Sequence, residues 1–409
     1  MTPVQAAKKT FFTPELIENP YPIYQRFLEE GPAHYLDRGP GPGIWGIFSY
    51  ADCASLLKDQ RVSAKRSDAL LAGFTPEQRA GFAPLAEMLR YWMLFLDPPQ
   101  HSRLRKLMTK GFSPAVMEAL RAPITAIVDE MLGSLKGSSE AELMQQVAHP
   151  LPVRVIGKML GISDEMQPQL VQWSDAIATF FGNPRRTVEQ AAATQDAVLS
   201  LTGYFRGVVA KRRSAKGSDL ISLLLEIEED GEVLTEEELY AQCVMLLFAG
   251  HETTRNLIGN GMLTLLRHPG EAGRLRDDPT LIRSGVEELL RYESPVQNTG
   301  RVVMEEMELC GTSLSPGAIV YVMLGSANRD PRHFPDPAML NLARPNNNHL
   351  GFGAGAHFCI GSQLARLEAQ AAVLGLIQRF PKMSCSTDSP RWRPNFVLRG
   401  LSSLPVSLV

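Results

Sequence analysis

The stretch Gly351-Phe-Gly-Ala-Gly-Ala-His-Phe-Cys-Ile-Gly361 combines a glycine-rich loop with a single cysteine near its end. Cys359 stands just before a predicted helix from Ser362 to Arg379, whose first amide N–H groups would point towards the sulfur. That placement lowers the pKa of a thiol and favours the thiolate. The glycines let the backbone pass close to a large flat group, because they carry no side chain. The loop therefore predicts a ligand-binding cysteine.

Three other interpretations of this loop follow from its residues alone. Cys359 could be an inert buried cysteine, which is the commoner fate of a cytosolic thiol. His349, His357 and Cys359 could bind Zn²⁺, although a fourth ligand at ordinary spacing is missing. The residues from Gly351 onward also fit a relaxed G-x-G-x-x-A dinucleotide loop, but no strand is predicted before it and no βαβ unit surrounds it. We set the dinucleotide interpretation aside and keep the other two open.

The spacing F-G-x-G-x-H-x-C-x-G, from Phe352 to Gly361, resembles the haem-binding loop of the cytochrome P450 family of haem-thiolate monooxygenases. The resemblance implies that the Cys359 thiolate binds the iron of haem b, the one cofactor that we expect. It also implies a mainly α-helical fold with small β-sheets, in which a single domain spans residues 1–409. In that fold the haem lies between a long central helix and the cysteine loop.

The strongest helix prediction covers Glu236 to His268, which would be long enough to cross the whole domain. Thr235 and Glu238 form a capping-box pattern at its start. Its middle carries the polar residues Gly250 to Asn256, which are costly to bury unless they face a cavity. The pattern therefore predicts that a bound group lies against this helix.

The segment Ala249-Gly-His-Glu-Thr-Thr254 resembles the A-G-x-D/E-T motif of the same family. The resemblance implies that the helix opens locally here and that Glu252 and Thr253 are catalytic, as the acid and the alcohol that handle protons during O2 activation. From the residues alone, a helix kink with Thr253 bonded back to its own helix carbonyls is the alternative.

The segment Glu288-Leu-Leu-Arg291 resembles the E-x-x-R motif of the family. A spacing of three places both side chains on one helix face, where a carboxylate and a guanidinium can pair. Taken alone, such a pair is more often an ordinary surface salt bridge. Its order relative to the other motifs favours a buried structural pair, so we assign Glu288 and Arg291 to structure rather than to chemistry.

The resemblance also implies which residues contact the two haem carboxylates. His101 and Arg105, in the segment Asp97-Pro-Pro-Gln-His-Ser-Arg-Leu-Arg105, are four residues apart and share one face of a predicted helix. Arg301 and His357 would complete this set of cofactor-binding cations. The alternative for each single basic residue is solvated surface.

The segments in which the family places substrate contacts are mostly apolar in this chain. The residues expected to contact substrate are Trp92, Met93, Phe180, Leu246, Phe248, Ala249, Val296 and Phe396. Such a lining suits a bulky, mostly apolar ligand, whereas core packing is the alternative for each residue. We expect a polyketide or macrolide type of natural-product intermediate ahead of a terpenoid or a fatty acid, with hydroxylation or epoxidation as the outcome.

The composition fits a large folded domain and excludes several classes of function. The 409 residues carry 41 Lys and Arg against 44 Asp and Glu, a formal net charge of −3, without the basic stripe of a nucleic-acid binder. Five separated cysteines argue against a disulfide framework and favour a reducing compartment. No signal peptide and no membrane-length apolar run is visible, so we expect a cytoplasmic protein.

The activity implied by the resemblance is that of a monooxygenase that uses O2. The chain shows no flavin or iron–sulfur pattern, so we expect electrons from a separate ferredoxin and its reductase, and a monomeric enzyme. A peroxide-driven peroxygenase is the competitor within the fold, but such sequences replace the acid–alcohol pair that Glu252 and Thr253 retain. A haem-based sensor is a further alternative, but it would need no proton relay. A zinc hydrolase is another, and it would lack the red colour of a haem protein.

Four further elements are predicted from local patterns. Ala33 to Asp37 and Ile44 to Tyr50 flank a Gly/Pro turn and predict a β-hairpin. Ser113 predicts the cap of a helix through Leu132. A helix is expected around Pro279 to Glu293. The alternation between Asn395 and Val409 predicts a second hairpin at the C-terminal end.

Overall fold

Helices make up most of the protein, whose computed structural model describes residues 11–38, 41–183, 185–227 and 232–409. The helices before residue 185 are α1 (Pro14–Glu18), α2 (Tyr21–Glu30), α3 (Tyr50–Leu56), α4 (Ser67–Leu70), α5 (Pro76–Gly81), α6 (Ala83–Arg90), α7 (Gln100–Thr109), α8 (Pro114–Ser134), α9 (Pro150–Met159) and α10 (Gln167–Gly182). Those after it are α11 (Val188–Ser214), α12 (Leu220–Glu226), α13 (Glu236–Arg267), α14 (Pro269–Asp277), α15 (Ile282–Tyr292), α16 (Leu324–Ala327) and α17 (Ser362–Arg379). The mainly helical fold class predicted from the sequence is confirmed.

The strands are short and form three small sheets. Their bounds are β1 (Ala33–Asp37), β2 (Ile44–Ile47), β3 (Val62–Ser63), β4 (Glu140–Glu142), β5 (Thr299–Val303), β6 (Met307–Leu309), β7 (Thr312–Leu314), β8 (Ile319–Val322), β9 (Ser384–Cys385) and β10 (Pro405–Ser407). The largest sheet has the order β1-β2-β8-β5-β3, in which β2 and β8 run parallel and the other pairs antiparallel. The other two sheets are β4-β10-β9 and β6-β7.

The hairpin predicted near the start is confirmed, with a shorter second strand. Ala33 pairs with Ile47 at the open end of the antiparallel β1–β2 ladder. The chain does not continue as a strand to Tyr50, because the Ser49 side chain accepts a hydrogen bond from the amide of Asp52 and so caps α3. Local capping therefore ends the strand three residues earlier than the sequence pattern suggests.

The hairpin predicted over 395–409 is wrong. Only Pro405–Ser407 forms a strand there, and it pairs with β4 and β9 rather than with a neighbour in sequence. The amide of Phe396 donates to Gly182 O and the amide of Arg399 donates to Pro295 O, both at 2.8 Å. The backbone groups of this segment are thus satisfied by distant parts of the chain, which a local alternation cannot reveal.

The central helix α13 begins as predicted, with the side chain of Thr235 and that of Glu238 forming a reciprocal capping box. Its 32 residues span roughly 48 Å and contact α9, α10, α11, α15 and α17. The predicted local opening near Gly250 is not seen, because α13 runs without interruption through residues 249–254. Among the described residues, no helix combines the length and the apolarity needed to cross a bilayer.

Three further helices follow their sequence signals. Ser113 caps α8, its hydroxyl accepting the amide of Val116. The region predicted to start at Pro279 opens with a single 3₁₀ turn and continues as α15. The last long helix, α17, has the bounds predicted from the sequence.

The pair Glu288–Arg291 lies on α15 and is completely buried, with 0% of either side chain exposed. Arg291 Nε donates to Glu288 Oε2 at 2.7 Å, and Arg291 Nη2 donates to Oε1 at 2.8 Å. Arg344 Nε lies 3.1 Å from both carboxylate oxygens, and Asn347 Nδ2 donates to Oε2 at 3.1 Å. The carboxylate therefore joins α15 to the segment that leads into the cysteine loop.

Replacing Arg291→Met should lower the free energy of unfolding by about 3–5 kcal/mol, because it leaves the buried Glu288 carboxylate without its main counter-charge. The measurement is denaturant-induced unfolding of the native protein and the variant. Arg121→Met is the matched control, since Arg121 forms the same i,i+3 pair with Glu118 at the surface. Equal unfolding midpoints for the two variants would contradict the assignment.

Candidate active site

The cysteine loop folds back on itself through two glycines in left-handed conformations. Gly353 has φ +71° and Gly355 has φ +69°, values that favour glycine over any residue with a Cβ. A Cβ atom on Gly355 would also lie 2.6 Å from Leu57 O, too close to be tolerated. The amide of Cys359 donates to Phe352 O at 3.0 Å and closes the loop just before α17.

The charge state of Cys359 depends on opposing influences. Burial raises the pKa of the Cys359 thiol, while the amide of Gly361 and the guanidinium groups of Arg105 and Arg366 lower it, and burial is the larger effect. The predicted lowering of this pKa is therefore wrong for the protein groups alone. A bound metal cation deprotonates a coordinating thiol outright, so an iron would supply the missing positive charge.

A mainly apolar cleft separates the Cys359 loop from α13. It holds about 1270 Å³ of atom-free space, part of which is open to solvent. Leu246, Ala249 and Thr253 line it from α13, and Cys359 lines it from the opposite side. The structure thus places an open space between the long central helix and the cysteine loop, where the sequence predicts the cofactor.

Basic side chains gather at one edge of this cleft. The rings of His101 and His357 lie 4.1 Å apart, and both ring nitrogens of the buried His101 lack a hydrogen-bond partner. Arg301 Nη1 donates only to Gly300 O, at 2.8 Å, and Thr299 Oγ1, at 3.2 Å. Within the described chain, no carboxylate forms an ion pair with the two histidines, Arg105 or Arg301.

The pKa values of these groups reflect their crowding. Burial, together with the nearby groups of His101, Arg301 and Arg105, lowers the pKa of His357 to about 3, so this imidazole is neutral near pH 7. Burial likewise lowers the pKa of Arg301 to about 10. Buried guanidinium groups without ion-pair partners are costly, and neutral imidazoles can still donate a hydrogen bond, so this edge fits an anionic group. The two carboxylates of a haem match the unpaired nitrogens and the surplus of positive charge.

Arg66 is a fifth basic residue near this edge that the sequence did not reveal. Its guanidinium lies over the Phe95 ring at 4.8 Å from the centroid, and Nη1 donates to Ala64 O at 3.1 Å. Burial, followed by the charge of Arg301, lowers the pKa of Arg66 to about 9. Arg66 lies in a loop between β3 and α4. A loop has no helical or strand periodicity from which the orientation of its side chain could be predicted.

Thr253 lines the cleft, and its hydroxyl donates to Ala249 O at 2.8 Å. This back-bonded arrangement is the alternative that the sequence left open for Thr253. The hydroxyl oxygen keeps its capacity to accept a hydrogen bond from a ligand in the cleft.

Glu252 is fully buried and outside the residues that line the cleft. Its Oε1 accepts from Arg393 Nη1 at 2.6 Å, Arg255 Nη2 at 3.0 Å and Asn256 Nδ2 at 3.3 Å, while Oε2 has no partner. Asp175 lies on the other side of both arginines and accepts from each of them. The acid and the alcohol are therefore adjacent in sequence but point into different surroundings.

The expected substrate-contacting residues fall into three groups. Leu246, Ala249 and Val296 line the cleft. Trp92 and Phe248 belong to a stack of nearly parallel rings with Phe95 and Phe181. Met93 and Phe180 are buried in the main core, whereas Phe396 packs on the rings of Phe11, Phe12 and Tyr321.

Gln242 of α13 is a positioning residue that the sequence did not reveal. Its Nε2 donates to Tyr91 O at 2.6 Å, and its Oε1 accepts from the amide of Met93 at 3.2 Å. These bonds hold the backbone on both sides of Trp92, whose side chain is fully buried. Gln242 thereby fixes the loop that carries Leu94 to the cleft.

The zinc interpretation finds no support in the geometry. His349 Nε2 lies 3.1 Å from Glu287 Oε2, and Nδ1 accepts the amide of Gly351 at 3.0 Å. His349 thus fastens the cysteine loop to α15. Across the described ranges, no group of three or more His, Cys, Asp or Glu side chains is arranged to hold a metal ion.

Comparison with known proteins agrees with this geometry. The family model described as cytochrome P450 matches residues 74–406. The chain is 40% identical over 390 residues to cytochrome P450 107B1 of Saccharopolyspora erythraea, covering 94% of this chain and 93% of that protein. It is 37% identical over 413 residues to the polyketide biosynthesis cytochrome P450 PksS of Bacillus subtilis, covering 98% and 99% respectively.

A solved structure supports the same relationship. The crystal structure of P450BioI in complex with an acyl carrier protein ligated with hexadec-9Z-enoic acid superimposes with a TM-score of 0.89. The two chains are 36% identical, and the match covers 96% of this chain and 98% of P450BioI.

Replacing His101→Phe should speed the loss of haem about tenfold, because the variant removes a buried donor from the anion-binding edge. The measurement is the rate of haem transfer to excess apomyoglobin, followed by absorbance. His333→Phe is the control, since His333 is exposed and stacks on Tyr50 away from the cleft. Identical transfer rates for the native protein and His101→Phe would remove His101 from the cofactor site.

Proposed function

This chain belongs to the cytochrome P450 family of monooxygenases, and from that premise we propose that it inserts one oxygen atom of O2 into a bulky, mostly apolar natural product. The observation that carries the proposal is the apolar cleft between α13 and Cys359. Its lining suits a substrate recognised by burial of apolar surface rather than by charge.

The residues of the cleft fit haem b, which we propose as the cofactor. Cys359 would provide the thiolate ligand of its iron, and the basic residues at the edge of the cleft would hold its carboxylates. These basic residues are His101, Arg105, Arg301 and His357, with Arg66 beside them. When bound, the haem supplies the activation of O2 and the oxidation of the substrate.

We propose Thr253 and Glu252 as the groups that manage protons beside the cleft. The Thr253 hydroxyl donates a hydrogen bond to Ala249 O, one helical turn earlier, and its oxygen can still accept a hydrogen bond from a group in the cleft. The Glu252 carboxylate is held by Arg255 and Arg393, so it would have to change partners before it could supply a proton. The retained acid–alcohol pair favours a monooxygenase over a peroxide-driven peroxygenase.

For the substrate class, we propose a polyketide or macrolide intermediate that is hydroxylated or epoxidised. The apolar lining of the cleft and the similarity to PksS, a polyketide biosynthesis cytochrome P450, support this choice. A fatty acyl chain is the second candidate, favoured by the similarity to P450BioI, which was solved with an acyl chain on a carrier protein. A terpenoid is the third.

We further propose that electrons come from a ferredoxin and its reductase, and that the enzyme acts as a monomeric single domain in the cytoplasm. Separate redox partners are usual in this family. The formal net charge is only −3, so the electrostatic field of the whole protein is weak, and Arg103 is already paired with Glu238. Such a partner would therefore be recognised by local patches of charge on the surface.

The reduced protein should give a strongly red-shifted Soret band in its CO difference spectrum, because a thiolate donates electron density to the iron. Cys359→Ser should lose that band. Cys385→Ser is the control, since Cys385 lies on β9 and bonds only to backbone carbonyls. A histidine-type band in the native protein, or an unchanged band in Cys359→Ser, would refute ligation by Cys359.

Thr253→Ala should keep the haem but divert electrons from product into hydrogen peroxide, because proton delivery at the cleft surface is impaired. The measurement is the ratio of product to reducing equivalents consumed with a reconstituted redox chain. Thr264→Ala is the control, because Thr264 lies on the same helix and bonds back to Asn260 O in the same way. Unchanged coupling in Thr253→Ala would exclude this role.

A further inference from the structure

A second pocket, called the side pocket below, lies between α10, α13 and the C-terminal segment, and it shares no lining residue with the cleft. It holds about 720 Å³ of atom-free space, part of which is open to solvent. Its lining residues are Met144, Gln145, His149, Asp175, Arg255, Arg393, Leu401 and Ser402. Because Gln145 and Ser402 are exposed, they mark the end of the pocket that meets solvent.

The inner wall of the side pocket is formed by the groups that hold Glu252. Arg255 Nη2 and Arg393 Nη1 donate to Glu252 Oε1 at 3.0 and 2.6 Å. The same two guanidinium groups donate to Asp175 Oδ1 at 3.1 and 3.3 Å. Glu252 therefore lies only one side chain behind a pocket that reaches the surface.

Two imidazole rings lie at this wall. His149 is half-buried and lines the side pocket, and its ring centroid is 4.8 Å from that of the fully buried His251. His251 Nδ1 lies 2.9 Å from Ser174 Oγ, next to Asp175 in sequence. The ring pair thus extends from the pocket into the interior beside α13.

Buried polar atoms without a protein partner are concentrated around these rings. Among the described residues they include His149 Nε2, His251 Nε2, Glu252 Oε2, Arg255 Nε and Asn256 Oδ1. Leaving such atoms unpaired is costly, and buried water is their usual partner where a polar pocket gives it access. The arrangement therefore fits a chain of water between the side pocket and the free oxygen of Glu252.

Both rings are neutral near pH 7. Burial is the main cause that lowers the pKa of His149, and burial together with His149 lowers the pKa of His251 to about 3. The charged groups that face His149 are Asp175 of α10, Glu252 of α13, Glu142 of β4 and Arg393 of the C-terminal segment. A neutral imidazole carries one N–H and one bare nitrogen, so it can accept a proton on one side while it releases one on the other.

We propose that the side pocket is a proton inlet and that His149, with His251 beside it, is the positioning residue that passes protons from water in the pocket to Glu252. The proposal rests on the function proposed above and deepens it. It names the source of the protons that Glu252 and Thr253 manage at the cleft.

Each transfer moves one proton and no electrons. A water molecule in the side pocket loses a proton to the bare nitrogen of His149, which forms one N–H bond. The other ring nitrogen releases its proton through bridging water, and an O–H bond forms at Glu252 Oε2. The hydroxide left in the pocket exchanges with solvent, and the ring returns to its first tautomer by proton exchange with the same water.

The first test measures solvent access to the rings without any turnover. Deuterium uptake at the C2 carbon of each histidine ring of the haem-loaded enzyme is followed by peptide mass spectrometry. Gln145→Trp places a bulky ring at the solvent end of the side pocket, so it should slow uptake at His149 and His251 by on the order of tenfold, since water would then need a local opening of the chain. Gln145→Ala keeps the pocket open and should match the native enzyme.

The exposed His333 is the internal reference for this experiment, and its uptake should be the same in every variant. Equal uptake at His149 and His251 in the native enzyme and in Gln145→Trp overturns the inlet. Absence of uptake at His149 in the native enzyme, over a time in which His333 exchanges fully, overturns it as well.

The second test measures proton supply through His149→Phe, which keeps a ring of similar size and removes both nitrogens. With a reconstituted redox chain and tetradecanoate as the trial substrate, the ratio of product to reducing equivalents consumed should fall at least about tenfold. That is less than the roughly 10²–10⁴-fold effect of a group that transfers the proton directly, because water can replace part of the relay. The deficit relative to the native enzyme should be larger at pH 8.5 than at pH 6.5, since supply without the ring depends on the hydronium concentration.

His268→Phe is the matched control, because His268 is also half-buried but lies at the C-terminal end of α13, where Nδ1 bonds to Thr264 O. The affinity for tetradecanoate, measured by the spin-state shift, should be equal in the native enzyme and both variants. An unchanged product ratio in His149→Phe excludes the relay. A deficit that is equal at both pH values and accompanied by weaker binding indicates packing alone and also excludes it.

The two tests separate this inference from the proposed function. If the native enzyme does not oxidise tetradecanoate, the fatty acyl candidate fails, and the deuterium experiment alone decides on the inlet. If tetradecanoate is oxidised but neither Gln145→Trp nor His149→Phe has an effect, the monooxygenase proposal stands and the inlet is overturned.

Discussion

The buried carboxylate of Glu288 is the contact on which the arrangement around Cys359 depends. Its two oxygens accept hydrogen bonds from Arg291, Arg344, Asn347 and the amide of Asn341, and the carboxylate itself is fully buried. A buried charge must have such partners, or the fold loses several kcal/mol. Because residues 341–347 lead directly into the cysteine loop, satisfying this one carboxylate also fixes where the loop starts.

Arginines in the structure differ in whether a carboxylate pairs with them. Where the protein needs rigidity, each arginine faces a carboxylate, as Arg255 faces Asp175 and Arg399 faces Glu293. At the edge of the cleft, Arg66 and Arg301 have no carboxylate within ion-pair distance among the described residues, and the charge of Asp97 acts on both from farther away. The positive charge at the cleft is therefore left to be neutralised by the molecules that bind there.

The sequence predicted those features of the fold that depend only on residues a few positions apart. The Thr235 capping box and the bounds of α17 are examples, because caps and helical periodicity are written within a few positions. Contacts between distant segments were not predictable in this way. The partners of Phe396, the direction of Arg66 and the enclosure of Glu252 by two arginines all depend on chain segments that meet only in the folded state.

The parallel pairing of β2 with β8 has a consequence for how the protein is made. Ile47 and its partner Val322 are separated by most of the chain, so the central strands of the largest sheet cannot join until that chain has been synthesised. At a translation rate of roughly 5–20 residues per second, the N-terminal hairpin waits for tens of seconds with one edge uncovered. An uncovered edge can pair with other chains, so this strand is a site of aggregation risk during that interval.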